Sequence, residues 1–228
     1  MGRSKRAPPP YDVLFKVILV GAASVGKTAL IGRQCRNAFS DRYIASLRID
    51  FETCLLEVDG VRVKLSLWDT AGQERFAPML RSFFRQSECA LVVYDLTSAA
   101  SFERVDEWAH VLDDETAHDA VRILVGNKLD LVETIDADTP TVARAMTRAA
   151  GERKARSLGS AYFETSACTG ASVDALFVHV ARALLQRRER LGTPVLPLQV
   201  AQPPSQTPAD TPHPEQTPEK KSSCCAIS

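Results

Sequence analysis

Charge of one sign is what this sequence most plainly lacks: 28 lysines and arginines against 28 aspartates and glutamates leave 228 residues with no formal net charge. No global field draws such a chain onto nucleic acid or an anionic bilayer, so nucleic acid is not expected as a partner and any membrane contact has to be local. Long apolar runs are missing too. Stretches such as Val17 to Val20 and Ala90 to Val93 fall far short of the roughly 18 residues a spanning helix requires, so no transmembrane segment is expected. The basic start, Met1 to Arg6, runs into Pro8-Pro9-Pro10 where a secretory signal needs an apolar stretch. Arg6 stands where a myristoylation motif on Gly2 needs serine or threonine. The chain therefore reads as non-secreted, without N-terminal acylation.

Metal-binding clusters are equally scarce. The six cysteines at 35, 54, 89, 168, 224 and 225 and the histidines at 110, 118, 179 and 213 show no ligand spacing, and the cysteine pattern reads as reduced thiols. Asp113-Asp114-Glu115 reads as a solvated helix end.

What remains is ordinary globular composition, 45% hydrophobic and 25% charged, in a length suited to one domain with tails. Residues 1–11 are basic and then proline-rich and read as a disordered leader. From Tyr11 onward, apolar runs of strand length (Leu14 to Val20, Ala90 to Tyr94, Ile123 to Val125) alternate with amphipathic stretches of helix length. That pattern predicts an α/β fold with a mostly parallel sheet and helices on both faces. One pair of runs departs from it. Phe51 to Val58 and Val61 to Trp68 flank Asp59-Gly60, a two-residue hairpin turn, which predicts one antiparallel edge strand. Helices are predicted to open at Ser101, with Trp108, Val111 and Leu112 as its buried stripe, to run from Thr139-Pro140 through Arg156, and to span Val173 to Arg190. Residues 192–223 hold eight of the thirteen prolines and no aromatic residue, too little apolar surface to offset ordering entropy. They read as a flexible tether reaching roughly 30 Å or more. Its Thr-Pro pairs at 193, 207, 211 and 217 suit proline-directed phosphorylation, or reflect composition alone.

Four motifs carry the chemistry. Gly21-Ala22-Ala23-Ser24-Val25-Gly26-Lys27-Thr28 matches G-x-x-x-x-G-K-[ST] between a strand and a helix, the context such a phosphate loop demands. Backbone N–H groups there turn inward around phosphate oxygens, Lys27 neutralises the β and γ charge, and the Thr28 hydroxyl ligates Mg²⁺. Trp68-Asp69-Thr70-Ala71-Gly72-Gln73-Glu74 ends the alternating strand, placing Asp69 beside Thr28 to hold Mg²⁺ through water. Gly72 offers a backbone N–H to the γ-phosphate, and Gln73, which alone would be an ordinary surface glutamine, can orient a water for in-line attack. Asn127-Lys128-Leu129-Asp130 follows a strand and offers a carboxylate that can accept both the ring N–H and the exocyclic amine of guanine. Adenine has neither donor in that arrangement, and a mismatch leaves Asp130 unsatisfied. Glu164-Thr165-Ser166-Ala167 offers backbone N–H groups for the base carbonyl, although alone it also fits a helix-capping box.

In this order and spacing the four motifs closely resemble the Ras superfamily of small GTPases, over about residues 13 to 190. Lys64-Leu65-Ser66-Leu67-Trp68, Arg75-Phe76, Phe83-Phe84-Arg85, Val93-Tyr94-Asp95-Leu96-Thr97, Ile49-Asp50-Phe51 and the two terminal cysteines are most similar to the Rab branch. The resemblance implies a P-loop GTPase with a six-stranded sheet, and domain limits of 1–11 for the leader, 12–191 for the GTPase domain and 192–228 for a proline-rich tail with lipidated cysteines. It implies a membrane-anchored switch that binds GTP and GDP with Mg²⁺, hydrolyses GTP slowly and recruits effectors in vesicle trafficking. A scaffold that binds nucleotide with little turnover is the alternative, and a P-loop kinase is disfavoured by Asp130 and by the absence of a lid.

By the same resemblance the nucleotide-binding set is Gly21, Ala23, Ser24, Val25, Gly26, Lys27, Thr28 and Ala29, then Phe39, Tyr43 and Ser46 of the first switch, Gly72, Asn127, Lys128, Asp130, Ser166, Ala167 and Cys168. Gln73 and Lys27 are the catalytic residues, and Thr28, Ser46 and Asp69 serve the metal. Ser46 stands where most Rabs have threonine, Arg48 where they have glycine, and Cys168 where they have lysine. Implied partners are effectors, an exchange factor, a GTPase-activating protein, a prenylation escort and a GDP-dissociation inhibitor, at the cytoplasmic face of an intracellular membrane with a cytosolic pool. Cys225-Ala226-Ile227-Ser228 reads as a C-a-a-X box favouring farnesyl on Cys225 with palmitoyl on Cys224, whereas the Rab resemblance implies geranylgeranyl on both.

Overall fold

The computed structural model describes residues 11–39, 50–70, 84–117, 119–132 and 143–195. Six strands follow in chain order: β1 Val13–Val20, β2 Asp50–Val58, β3 Val61–Asp69, β4 Cys89–Asp95, β5 Val121–Asn127 and β6 Ala161–Glu164. They form one sheet in the order β2-β3-β1-β4-β5-β6. Every neighbouring pair is parallel except β2 with β3. The antiparallel edge strand predicted from Asp59-Gly60 is present. Both turn residues have positive φ, 53° and 78°, the backbone hand that matches the twist of the strands they join.

Alternation along the strands separates two cores. Val13, Phe15, Val17 and Leu19 of β1 join Cys89, Leu91 and Val93 of β4 on one face, under helices α1 (Lys27–Arg36) and α5 (Val173–Arg190). Ile18 and Val20 join Ala90, Val92 and Tyr94 on the other, under α2 (Ala99–Glu103), α3 (Val105–Glu115) and α4 (Arg148–Ser157). A strand buried on both faces reads as a continuous apolar run, which is why β1 and β4 were legible as such. Helix α5 spans the predicted residues, and Leu176, Phe177, Val180 and Leu184 are fully buried, each contributing about 1.5–3 kcal/mol.

Two helix starts differ from the sequence reading. Helix α2 opens at Ala99, two residues earlier than Ser101, because the Ser98 hydroxyl accepts from the Ser101 N–H and caps it. Ser101 is instead buried inside: its hydroxyl donates to Ser98 O at 2.8 Å and accepts from Asp95 N at 3.0 Å. The helix breaks at Arg104, and the stripe of α3 runs through Val105, Trp108, Ala109 and Leu112, with Val111 only half-buried. The helix expected from Thr139-Pro140 begins at Arg148 under a Thr147 cap; residues 143–147 are not helical, and 139–142 lie outside the described residues. Ala145 donates its N–H to Leu96 O at 2.9 Å and Arg144 is drawn to Glu164, tertiary bonds that pre-empt a helical turn.

The described residues all fall within one compact unit, and residues 196–228 lie outside the described residues. Among the described residues no helix is long and apolar enough to cross a membrane.

Candidate functional site at the carboxyl edge of the sheet

Four loops meet where β1, β3, β5 and β6 end. The first, residues 21–26, turns sharply between β1 and α1. Gly21 has φ 144° and a Cβ there would stand 2.1 Å from the Val93 carbonyl oxygen; Gly26 has φ 96° and a Cβ would stand 2.3 Å from Asn127 Nδ2. Only glycine allows the loop to pass this close to β4 and β5. Ser24 also has positive φ, 64°, and Ala23 and Ser24 are exposed at the crest. Val25 is buried beneath and Ala29 is half-buried. Lys27 opens α1 and is itself buried, its ammonium donating to Gly21 O at 2.9 Å and Ala22 O at 2.8 Å. Its charge is thereby held over the loop. Thr28 donates its hydroxyl proton to Asp69 Oδ2 at 2.5 Å, and Asp69 is buried at the end of β3. The next residue, Thr70, is fully buried and donates to Leu19 O at 2.6 Å, pinning the β3 exit to β1.

Asn127 ties the first loop to the other two. Its Nδ2 donates to Val25 O at 2.9 Å, while Oδ1 accepts from Ala167 N at 3.2 Å and Thr165 Oγ1 at 3.3 Å. Lys128, at φ 68°, pairs with Asp95 Oδ2 at 2.7 Å; the other Asp95 oxygen accepts from Thr97 N and Oγ1. Asp130 sits on a 3₁₀ turn, Leu129–Leu131, and accepts from the Ser166 hydroxyl. Leu129 N donates to Thr165 O at 3.0 Å, so the two loops are joined by backbone as well. The N–H groups of Thr165, Ser166 and Ala167 bond Gly126 O, Ala171 O and Asn127 Oδ1. Cys168 is exposed at its rim.

Thus Lys27, Thr28, Asp69, Asn127, Lys128, Asp130, Ser166, Ala167 and Cys168 converge on one edge from loops more than a hundred residues apart in the chain. Phe39 lies just beyond the end of α1 and is 38% exposed. Tyr43, Ser46, Gly72, Gln73, Cys224 and Cys225 lie outside the described residues.

Sequence reading missed what supports this edge from behind. Arg33, on α1, bonds the carbonyls of Ala167 and Cys168, contacts that span 134 and 135 residues. Arg144 donates to both oxygens of Glu164, at 2.7 and 3.1 Å, and Tyr162 donates to Glu164 Oε1 at 2.7 Å. The Tyr162 proton being committed, Tyr94 donates to Tyr162 at 2.8 Å. Burial pushes the Tyr94 phenol up to about 12. Burial alone would also push the Glu164 carboxyl up, but Arg144, the Tyr162 hydroxyl and the Arg148 charge outweigh it and hold the group below the usual carboxylate range. No local periodicity marks either arginine.

A carboxyl depressed in the folded state stabilises the fold above its unfolded pKa, and that contribution is lost as pH falls through the folded value. The stability gap between the wild type and Glu164→Gln, read from urea midpoints, is therefore expected to be constant above about pH 5 and to shrink at lower pH. A gap that widens as pH falls would rule the ion pair out as its source.

The sequence pattern of the Ras family matches residues 16–186. Ras-related protein Rab-26 of Homo sapiens is 41% identical over 178 residues, 78% of this chain and 66% of that protein, just under two thirds of its length. Ras-related protein Rab-10 of Caenorhabditis elegans is 36% identical over 178 residues, 78% and 84% of the two chains. Ras-related protein RABE1d of Arabidopsis thaliana is 36% identical over 221 residues, 97% and 96% of the two chains. With the phosphate loop, the Thr28–Asp69 pair and the Asp130–Ser166 pair at one sheet edge, the match decides the matter: the chain belongs to the Ras family of small GTPases, with Rab proteins among its relatives.

Proposed function

We propose that this protein is a Rab-type switch that binds GTP and GDP, hydrolyses GTP, and in its GTP state recruits effectors on a membrane in vesicle trafficking. The observation that carries the reading is the double pairing across one edge, Thr28 with Asp69 and Ser166 with Asp130, which sets a metal-type oxygen pair and a base-reading carboxylate on either side of the phosphate loop. A hydroxyl and a carboxylate 2.5 Å apart are hard oxygen donors of the kind Mg²⁺ takes alongside phosphates, so the residues fit that ion. Bound there with Ser46, Mg²⁺ would neutralise charge between the β- and γ-phosphates.

Lys27 carries a buried positive charge to the phosphates, Gly72 lends a backbone N–H, and Gln73 orients the attacking water. Asp130, aligned by Ser166, selects guanine. The catalytic domain is residues 12–191, with a leader at 1–11 and a tail at 192–228 that anchors the protein through lipid on Cys224 and Cys225. Effector binding gains support from Phe51, 55% exposed on the edge strand and stacked at 5.1 Å on Trp68. Aromatic residues are enriched at protein interfaces. Exchange factor, GTPase-activating protein, escort and dissociation inhibitor follow from the Rab relationship.

Competition calorimetry on the full chain tests the core of this reading. GTP and GDP are expected to bind with Mg²⁺ and to be released much faster in EDTA, with ATP failing to displace them. Displacement by ATP at comparable concentration would overturn the assignment of Asp130.

A further inference from the structure

Ala167 is pinned from two sides. Its N–H is held by Asn127 Oδ1 at 3.2 Å from β5, and its carbonyl accepts from Arg33 Nε at 2.9 Å from α1. Arg33 then reaches the next carbonyl, Cys168 O, through Nη2 at 2.5 Å. Its third nitrogen, Nη1, turns back to the end of its own helix, to Asn37 Oδ1 at 3.1 Å and Asn37 O at 3.4 Å. Asn37 has the left-handed φ of 49° that closes α1, and Phe39 follows two residues later. One planar guanidinium, with donors in a fixed fork, thus joins two successive carbonyls of the loop after β6 to the point where the chain leaves α1.

We propose that Arg33 is a positioning residue for base recognition: by bracing Ala167 and Cys168 against α1 it keeps the neighbouring Ser166 hydroxyl in register with Asp130. The inference rests on the reading of Asp130 as the guanine-selecting group. With Arg33 gone, Ala167 O and Cys168 O lose charged donors, and the loop keeps the bond of Ala167 N to Asn127 Oδ1 and the bonds of Thr169 N and Gly170 N to Ser166. The carbonyl side of Ala167 and Cys168 then has no brace to α1, and the Ser166 hydroxyl loses its register with the carboxylate it orients.

Release of GDP and of inosine 5′-diphosphate from full-length protein tests this. Inosine keeps the ring N–H and carbonyl of guanine but lacks the exocyclic amine, so it reads the second contact of Asp130 in isolation. Arg33→Ala is expected to speed GDP release about tenfold and inosine diphosphate release by clearly less, lowering the preference for guanine several-fold. Arg33→Lys, whose ammonium can serve one carbonyl but not the fork, should restore part of that preference. A merely structural role would speed both nucleotides equally. Equal acceleration, or release of GDP at the wild-type rate, would overturn the proposal. Failure of the wild type itself to prefer GDP over inosine diphosphate or ADP would instead overturn the assignment of Asp130, before any variant is measured.

Discussion

Asp130→Asn is expected to weaken GDP binding by about 10³-fold, close to 4 kcal/mol, while xanthosine diphosphate gains affinity. The reason lies in the bond that Ser166 makes. Its hydroxyl donates to Asp130 Oδ1, so an asparagine at this position keeps its Oδ1 on Ser166 and turns its Nδ2 toward the base. Guanine presents two donors on that edge, and a donor facing donors is worse than no partner at all. Xanthine has a carbonyl in place of the amine and accepts from the same Nδ2. Competitive titration of GDP against xanthosine diphosphate reads both halves of the exchange. GDP affinity within threefold of the wild type would mean that Asp130 does not read the base. Ser166→Ala should produce a weaker version of the loss without the gain, since it frees the carboxylate without changing what it accepts.

The bond between Asp130 and Ser166 also marks how far sequence reasoning reached: both residues were named from the sequence, their pairing was not. Asp130 was legible because a carboxylate after a buried strand, three residues beyond Asn127, has a chemistry that its residue type declares. The phosphate loop was legible for the same reason, and so was the hairpin at Asp59-Gly60, whose two residues tolerate the positive φ that the turn requires. The breaks in the helical pattern were not. Amphipathic spacing continues through Arg104 and upstream of Arg148, and the chain departs from it only because Ser98 caps one helix early and Arg144 is drawn out of the other by Glu164. Arg33 and Arg144 were invisible as supporting residues because their partners lie 134 and 20 positions away and are backbone carbonyls or a motif glutamate already given another role. Local pattern carries residue chemistry and turn geometry; it carries no record of which side chains the sheet will bring face to face.

The same closeness makes Gly26→Ala a damaging single methyl in the site. Gly26 has φ 96°, where a side chain costs about 1–3 kcal/mol in strain, and the added Cβ would stand 2.3 Å from Asn127 Nδ2. Asn127 cannot swing aside cheaply. It is buried and holds Val25 O, Ala167 N and Thr165 Oγ1 together, and each buried partner left unsatisfied costs about 1–3 kcal/mol. The methyl therefore opens the phosphate loop and releases the loop after β6 in one step, and nucleotide affinity is expected to fall by about 10³-fold or more. Of the residues that Asn127 ties, Val25 and Ala167 sit at the margin of one core while the strands and helices supply the rest of both, so circular dichroism should still report the folded domain. Gly60→Ala is the control, since Gly60 also has positive φ, 78°, but a Cβ there meets nothing within 4 Å; its cost should be backbone strain alone, with nucleotide release unchanged. If the clash with Asn127 is the cause, Gly26→Ala and Asn127→Ala will not add, because removing the amide removes the obstacle that the methyl meets. Additive losses in that pair would place the damage in the backbone of the phosphate loop and take Asn127 out of the explanation.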